Sequence, residues 1–261
     1  GARGTELVMF AGNRSFSYLS ALDKWSDAGP VYSVTQTDRR LLDRPTGQVT
    51  GDYAVAGGVG LVAWMVGGIG PMFALVDDAT GRVLLPPTAA GDAAGTRPRA
   101  VKVGAKLALL YVNEVGATFA LKIALLDPQA PDSFDPAVGV TVLTPDVDAT
   151  NPNYDAIDLV RHEGAVVAWH AAGVGIRAAF LDPSGVLGSP VTGWSSAADL
   201  AFTDISTPLT SGPVIARASL ETDKEAIAIA AGATGGNARV YGYLVQNKAV
   251  INEGQSAWVD T

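Results

Sequence analysis

The chain has 261 residues and no cysteine, which excludes disulfide bonds and thiolate metal sites. Its formal net charge is −8, so a nonspecific nucleic-acid binder, which needs a basic surface facing phosphate, is not expected. No run of eighteen apolar residues occurs, and a membrane-spanning helix is therefore excluded. Because the chain begins at Gly1 and shows no signal-peptide pattern, we expect it to be part of a larger protein or assembly.

A repeat organises the chain, and its two strongest copies lie 105 residues apart. Residues 60–83 read GLVAWMVGGIGPMFALVDDATGRV and residues 165–187 read AVVAWHAAGVGIRAAFLDPSGVL. Each copy is an apolar run, a Gly-rich reversal, a second apolar run and an Asp-containing turn, which predicts a β-hairpin followed by a tight turn. Without a gap, Val62-Ala63-Trp64 recurs as Val167-Ala168-Trp169, and Asp77 recurs as Asp182.

Three weaker copies share this pattern: Leu7 to Trp25, Lys106 to Pro128 and Glu225 to Val250. The apolar runs begin near residues 7, 61, 107, 166 and 226, so the units are about fifty residues long. A period of this length with several strands per unit is typical of β-propeller blades. The sequence therefore predicts an all-β protein, a β-propeller or propeller-like array of about five antiparallel blades, as a single domain over residues 1–261.

Local patterns support short strands over helices. The best helical candidate, Ser195 to Phe202, is too brief to form a layer of the fold. Val166 to Trp169 and Ala226 to Ala230 are apolar on both faces, which predicts inner strands between neighbouring sheets. Thr118 to Ile123 and Asn237 to Tyr241 carry charge on one face, as outer strands do.

Trp64, Tyr111 and Trp169 are predicted to occupy equivalent positions in their units. Large side chains at such positions fill the wedge between adjacent sheets. We therefore interpret all three as core residues, not as parts of a ligand site.

A calcium-loop pattern begins in Pro145 to Asp158, where Asp146, Asp148 and Thr150 alternate. The pattern then fails, because an EF-hand would need Gly at Asn151 and Glu at Ile157. The alternative interpretation is a connection whose Asp, Asn and Pro residues build turns. We predict no metal site and no cofactor.

Carboxylates that recur cannot all be catalytic. Asp77, Asp127 and Asp182 end hairpins at repeated positions, which indicates Asx turns. The acids that do not repeat have no partner that the sequence identifies; they are Glu114, Glu163, Glu221 and Asp204. No catalytic residue is predicted, although a propeller glycosidase would use a pair of such acids.

The two histidines do not predict a metal or catalytic site. His170 occupies the repeat position of Met65 and is expected in or beside a strand, whereas His162 lies in a turn. The Gly-rich stretches 57–60 and 67–70 open no helix and are interpreted as turns, not phosphate loops. The basic clusters are interpreted as solvated loops; they are Arg39-Arg40 with Arg44, and Arg97 with Arg99.

The Val-Ala-Trp strand, the Gly-rich hairpin and the Asp77 to Val83 turn resemble degenerate β-propeller repeats. Tyr53 to Thr88, followed by Arg97-Pro98-Arg99 and KLALLYV, is also similar to propeller segments of tail-nozzle proteins of short-tailed phages. That second resemblance implies a non-enzymatic virion component that assembles as a ring with protein neighbours.

The function predicted from the sequence is a non-enzymatic scaffold or interaction module in a virion or outside the cell. Binding is expected in loops that differ between units: Thr35 to Thr50, Asp127 to Asp158 and Pro190 to Pro213. Protein partners or a homo-oligomer are expected, without specific nucleic-acid or membrane binding. Two alternatives stay open: a glycan-binding adhesin or lectin that uses Trp25, Trp194 and Trp258 as platforms, and a glycan hydrolase.

Overall fold

The computed structural model describes the chain in segments separated by short gaps. They are residues 2–3, 6–11, 14–19, 24–30, 52–90, 98–115, 118–134, 139–194, 209–219, 223–233, 238–251 and 257–259. For the segments before residue 52 only the backbone is described. Within these segments the chain is almost entirely β-strand, and the helical part is a 3-10 turn at Pro131–Ser133.

The strands follow one another as antiparallel meanders, which we call modules 1 to 5. Module 1 contains β1 (Ala2–Arg3), β2 (Glu6–Ala11), β3 (Arg14–Leu19) and β4 (Lys24–Pro30). Module 2 contains β5 (Asp52–Ala56), β6 (Val59–Val66), β7 (Gly70–Asp77) and β8 (Val83–Ala89). Module 3 contains β9 (Arg99–Val103), β10 (Lys106–Val115), β11 (Thr118–Leu126) and β12 (Val140–Val147).

Modules 4 and 5 complete the described chain. Module 4 contains β13 (Tyr154–Asp158), β14 (Ala165–Ala171), β15 (Gly175–Leu181) and β16 (Val191–Trp194). Module 5 contains β17 (Leu209–Ser219), β18 (Lys224–Ala233), β19 (Ala238–Gln246), β20 (Ala249–Ile251) and β21 (Ala257–Val259). Modules 3 and 4 join into one eight-stranded sheet through a single pair, Val147 with Ala171.

The predicted 105-residue repeat is confirmed as one structure built twice. Trp64 pairs with Met72 across β6 and β7, and Trp169 pairs with Arg177 across β14 and β15. The reversals match as well, since Gly68 and its counterpart Gly173 have φ of 79° and 69°. Positive φ is readily adopted by glycine, which explains the Gly-rich reversal in both copies.

The chain divides into two compact units. The first comprises residues 1–100, 105–111 and 124–141, and the second comprises residues 101–104, 112–123 and 142–261. The single domain predicted over the whole chain stays a prediction, as does the number of blades.

The core of the first unit has two clusters, one on each face of β6. Leu61 and Ala63 pack with Phe73, Leu107 and Tyr111, whereas Trp64 belongs to the cluster on the opposite face. In the second unit β14 is buried along its whole length, and Val166 and Ala168 pack in a cluster with β18 and β19. The core role predicted for Trp64, Tyr111 and Trp169 is confirmed, because all three are buried.

The structure differs from the sequence prediction in β18. Ile227, Ile229 and Ala231 are buried, but Ala226, Ala228 and Ala230 are only partly buried. Alanine is apolar on either face and therefore carries no information about which face is covered. The predicted two-sided burial of this strand is thus wrong, although it holds for Val166 to Trp169.

The described strands at the two ends of the chain pair within modules 5 and 1. β21 pairs with β19 through Ala238–Val259, Arg239–Trp258 and Val240–Ala257, and β1 pairs with β2. Ser195 to Phe202, the helical candidate, lies outside the described residues. No helix within the described segments has the length and apolarity that crossing a membrane requires.

Candidate functional site

The end of β12 and the loop that follows it contain a group of polar side chains with partly exposed atoms. Of the three loops predicted to bind, Thr35 to Thr50 and most of Pro190 to Pro213 lie outside the described residues. Asp127 to Asp158 is described except for residues 135–138. The site is therefore built from the end of this segment and from the strands of module 4 beside it.

Asp146, near the end of β12, joins three side chains. Its Oδ1 accepts a hydrogen bond of 2.9 Å from the indole Nε1 of Trp169 and another from the Thr144 hydroxyl. Its Oδ2 forms an ion pair with Arg177. Trp169 and Arg177 lie opposite each other on β14 and β15, so their side chains leave the sheet on the same face.

We call Thr144, Asp146, Trp169 and Arg177 the Asp146 cluster. Its indole is buried, but the side chains of Arg177 and Asp146 are 31% and 30% exposed. The guanidinium has more donors than one carboxylate can accept. The cluster can therefore hydrogen-bond to a polar group of a partner while the ion pair stays in place.

A second contact joins Asp148, two residues after Asp146, to His170, the residue after Trp169. Asp148 Oδ1 accepts hydrogen bonds from the Thr150 backbone amide (2.8 Å) and hydroxyl (2.7 Å). Although burial raises it, these hydrogen bonds hold the pKa of Asp148 below its usual value. Asp148 Oδ2 lies 3.4 Å from Nδ1 of His170, whose pKa is lowered by burial more than Asp148 raises it.

The predicted Asx-turn interpretation of this loop is confirmed at Asp148. Both carboxylate oxygens of Asp146, the first acid of the calcium-loop pattern, are already bonded to Trp169, Thr144 and Arg177. No group of three or more His, Asp or Glu side chains that could hold a metal ion occurs within the segments that the structure describes.

The hairpin-ending aspartates form the predicted turns. Asp77 accepts from the Thr80 amide and hydroxyl, both at 2.7 Å. Asp127 accepts from the Gln129 amide at 2.9 Å, and Asp182 accepts from Ser184 and from the Val186 amide at 3.1 Å. The hydrogen bond from the Thr80 hydroxyl is the main reason that the pKa of Asp77 is lowered.

Two carboxylates on first strands were missed by the sequence analysis. Asp52 lies opposite Ala63 on β6, and Asp155 lies opposite Ala168 on β14, so the two occupy equivalent positions. The connection from β13 to β14 is longer than that from β5 to β6, which places the two acids at different offsets. A gapless comparison of the two repeats therefore cannot align these aspartates. The signal that could have found them is an acidic residue inside an otherwise apolar first strand.

Asp52 and Asp155 make the same contacts. Asp52 Oδ1 accepts from the Tyr53 amide and Oδ2 from the Ala100 amide of β9, both at 3.0 Å. Asp155 Oδ1 accepts from the Ala156 amide at 2.9 Å and Oδ2 from the Ile215 amide of β17 at 2.7 Å. Each aspartate thus ties the first strand of its own module to the first strand of the next, an arrangement we call a carboxylate link.

Another acid, Glu225 on β18, was also missed. It is fully buried, and its two oxygens accept hydrogen bonds from the Val160 amide (3.0 Å) and the Arg161 amide (2.9 Å). A buried carboxylate is tolerated when its oxygens receive such bonds. Glu225 therefore orders the connection between β13 and β14 from the next module.

The other candidate residues are not brought together. Glu114 and Glu163 are exposed, and Glu221 and Asp204 lie outside the described residues. His162 lies in the predicted turn, with Nε2 3.2 Å from the Val245 carbonyl. Gly57 and Gly58 form a hairpin turn with positive φ, as does Gly68.

One basic cluster was interpreted wrongly. Arg99 is not in a solvated loop: it begins β9, its side chain is 24% exposed, and its Nε lies 3.4 Å from Asp52. A lone arginine next to Pro98 gives no sequence signal for an acid 47 positions earlier. The remaining members of the basic clusters lie outside the described residues; they are Arg39, Arg40, Arg44 and Arg97. The side chains of Trp25, Trp194 and Trp258 lie there too.

Comparison with known proteins gives a likeness of fold. No protein-family model and no curated protein matches the chain. A triple arginine-to-alanine mutant of AofleA from Arthrobotrys oligospora is 8% identical, with a TM-score of 0.54 over 98% of this chain and 69% of that one. A mutant of Aleuria aurantia lectin in complex with α-methyl-L-fucoside is 10% identical, with a TM-score of 0.49 over 98% and 77% of the two chains.

The β-propeller domain of the Trilobed protease from Pyrococcus furiosus is also 10% identical, with a TM-score of 0.39 over 78% and 71% of the two chains. At these identities the similarity concerns the fold alone. The predicted fold class is confirmed: the chain is an all-β protein of β-propeller-like architecture. No comparison shows a link to tail-nozzle proteins.

Proposed function

We propose that this chain is a non-enzymatic interaction scaffold, in which β-propeller-like modules hold their connecting loops in place for a protein partner. The observation that supports this most directly is the pair of carboxylate links at Asp52 and Asp155. A residue that performs the same backbone contact in two modules has a structural role in both.

The hydrogen bonds of the two linking aspartates and of Glu225 support the proposal that the scaffold is non-enzymatic. Asp52, Asp155 and Glu225 each use both oxygens to accept from backbone amides. A general acid or base needs an oxygen that can reach a substrate proton. Carboxylates committed in this way stabilise the scaffold and have no oxygen directed at a substrate.

The Asp146 cluster is the contact surface that we assign within the described residues. Its guanidinium and carboxylate are each about one-third exposed; Trp169 and Thr144 hold the carboxylate, and the carboxylate in turn holds the guanidinium. Side chains fixed before binding lose less conformational freedom when the partner arrives. This favours a polar or charged segment of a protein as the ligand.

Activity assays test the proposal against the hydrolase alternative. The purified chain is incubated with a panel of aryl glycosides and aryl esters, and release of the chromophore is followed. We expect no turnover above the buffer rate. Turnover that disappears in an Asp→Asn or Glu→Gln variant, while the variant keeps its unfolding temperature, would show that the protein is an enzyme.

A glycan array tests the lectin alternative, with Arg177→Gln as the matched variant. We expect no glycan to bind at the Asp146 cluster, because the buried Trp169 offers no stacking face there. Saturable glycan binding would contradict a protein ligand. If that binding is lost in Arg177→Gln, the Asp146 cluster is the site and only the class of partner is wrong.

A further inference from the structure

The end of β14 is covered by the loop of residues 148–153. The His170 amide donates to the Asn153 carbonyl at 3.0 Å, and the His170 carbonyl accepts from the Asp148 amide at 2.9 Å. The loop is thus bonded through its first and last residues to one residue of β14. Within the loop, the Thr150 amide and hydroxyl donate to Asp148 and form a turn.

The imidazole beneath this loop is buried with one nitrogen unsatisfied. The His170 side chain is 10% exposed, and its Nδ1 has no hydrogen-bond partner among the described residues. Asp148 Oδ2 lies 3.4 Å from this nitrogen. The other ring contact is with the backbone of Asn151.

The charged groups around His170 are few in the described part of the chain. Asp148 faces it from the loop. Asp155 of β13 lies on the same face of the sheet, but its oxygens accept from Ala156 and Ile215. On β15 the residue opposite is Ile176, and Arg177 is paired with Asp146 on the other face. β17, which also contacts β14, has no ionisable side chain from Leu209 to Ala216.

We propose that His170 and Asp148 form a pH-sensitive latch: the neutral imidazole lies under the closed loop of residues 148–153, and protonation of the imidazole opens that loop. In the open form, water hydrates the charged imidazolium. In the closed form, the ring is buried and only one carboxylate, that of Asp148, faces it. The device is independent of the identity of any binding partner. Since residues 148–153 adjoin the Asp146 cluster, opening also changes the surface offered there.

The direction follows from proton linkage. Burial lowers the pKa of His170 below 6.5, and the opposing effects of Asp148 and Asn151 are smaller. The open form, whose imidazole is hydrated, therefore binds protons more strongly than the closed form. The open population therefore rises as the pH falls below 6.5. It stops rising once the pH is below the pKa that His170 has in the closed form, because both forms are then protonated. Each pKa unit by which His170 differs between the open and closed forms changes the open population at most tenfold.

The sequence supplies matched variants. His170→Met introduces the residue that stands at the equivalent position, Met65, of the other strong repeat. His162→Gln removes the only other histidine and leaves the latch intact. With two histidines in the chain, these variants also assign both imidazole signals in an NMR titration.

Amide hydrogen exchange of residues 148–153, corrected for intrinsic exchange rates, is measured from about pH 7.5 to about pH 5. We expect protection to fall several-fold in the wild type and in His162→Gln, and to stay constant in His170→Met. The imidazole signal lost in His170→Met should titrate below pH 6.5. A wild-type loop with constant protection, or an equal fall in His170→Met, would overturn the latch.

Asp148→Asn provides a second test that does not depend on the folding of His170→Met. The Asp148 carboxylate raises the pKa of His170, and Asn keeps an oxygen that accepts from Thr150. We expect this variant to lose more protection at about pH 5 than the wild type does. Protection equal to or greater than that of the wild type would show that the imidazole charge does not control the loop.

Discussion

Asp155 shows how one side chain can connect two sheets. It is 7% exposed, and its carboxylate accepts from the amide of its own strand and from the Ile215 amide of β17. A charged acceptor makes hydrogen bonds that are stronger than those of a neutral one. A buried amide that loses such an acceptor destabilises the fold, because no hydrogen bond then offsets the free energy of removing the amide from water.

We expect Asp155→Asn to lower the free energy of unfolding by about 1–3 kcal/mol. Asn keeps one acceptor oxygen but turns its NH₂ group toward one of the two backbone amides that Asp155 now accepts from. Urea denaturation at neutral pH measures the loss. The control is Asp223→Asn, whose side chain is exposed. Equal stability of the two variants would show that the carboxylate link does not hold the strands together.

At the scale of an element, glycines mark where an aromatic ring lies across a strand. A Cβ at Gly164 would lie 2.3 Å from the Phe180 ring and 2.7 Å from the Leu181 carbonyl oxygen. In module 2 a Cβ at Gly60 would lie 2.2 Å from the Tyr53 hydroxyl. In both modules the missing side chain lets the ring pack directly on the backbone.

Gly164→Ala is expected to lower the free energy of unfolding by about 1–3 kcal/mol or more, because the methyl group overpacks a site bounded by a ring and a carbonyl. The midpoint of urea denaturation, compared between variants, measures the effect. Gly67→Ala is the control, since nothing lies within 4 Å of its Cβ position. A Gly164→Ala protein as stable as this control would contradict the close packing of Phe180.

Strand type and turn type followed from local pattern, but the burial of the β18 alanines and of Arg99 did not. The Val-Ala-Trp strands and their Gly-rich reversals were predictable because side-chain period and glycine φ are local properties. The partial burial of the β18 alanines was not predictable, because alanine is compatible with either environment. Arg99 was misplaced for a related reason, since its acid partner is distant in the sequence.

For the molecule as a whole, the carboxylate links imply stability that is distributed among modules. The links at Asp52 and Asp155 belong to different units and share no bonding partner. In repeat architectures each unit contacts its neighbours, and stability is close to a sum of unit and interface contributions.

We therefore expect the losses in Asp52→Asn and Asp155→Asn to add in the double variant to within about 0.5 kcal/mol. A double-mutant cycle on urea denaturation curves measures the coupling between the two sites. Coupling well above about 1 kcal/mol would show that the links stabilise one shared arrangement. Asp52→Asn combined with Asp223→Asn serves as the control pair.

By itself the sequence determined the all-β class, the 105-residue repeat, the Asx turns and the core role of the large aromatics, since each depends on residues close together in the chain or on exact recurrence. Only the tertiary structure decided which polar groups meet. Asp155 with Ile215, Glu225 with the Val160 amide, and Asp146 with Trp169 and Arg177 are pairs separated by 23 to 65 residues. The physical reason is that a backbone amide donates in the same way from any residue type, so the sequence carries no mark of which amide a buried carboxylate will reach.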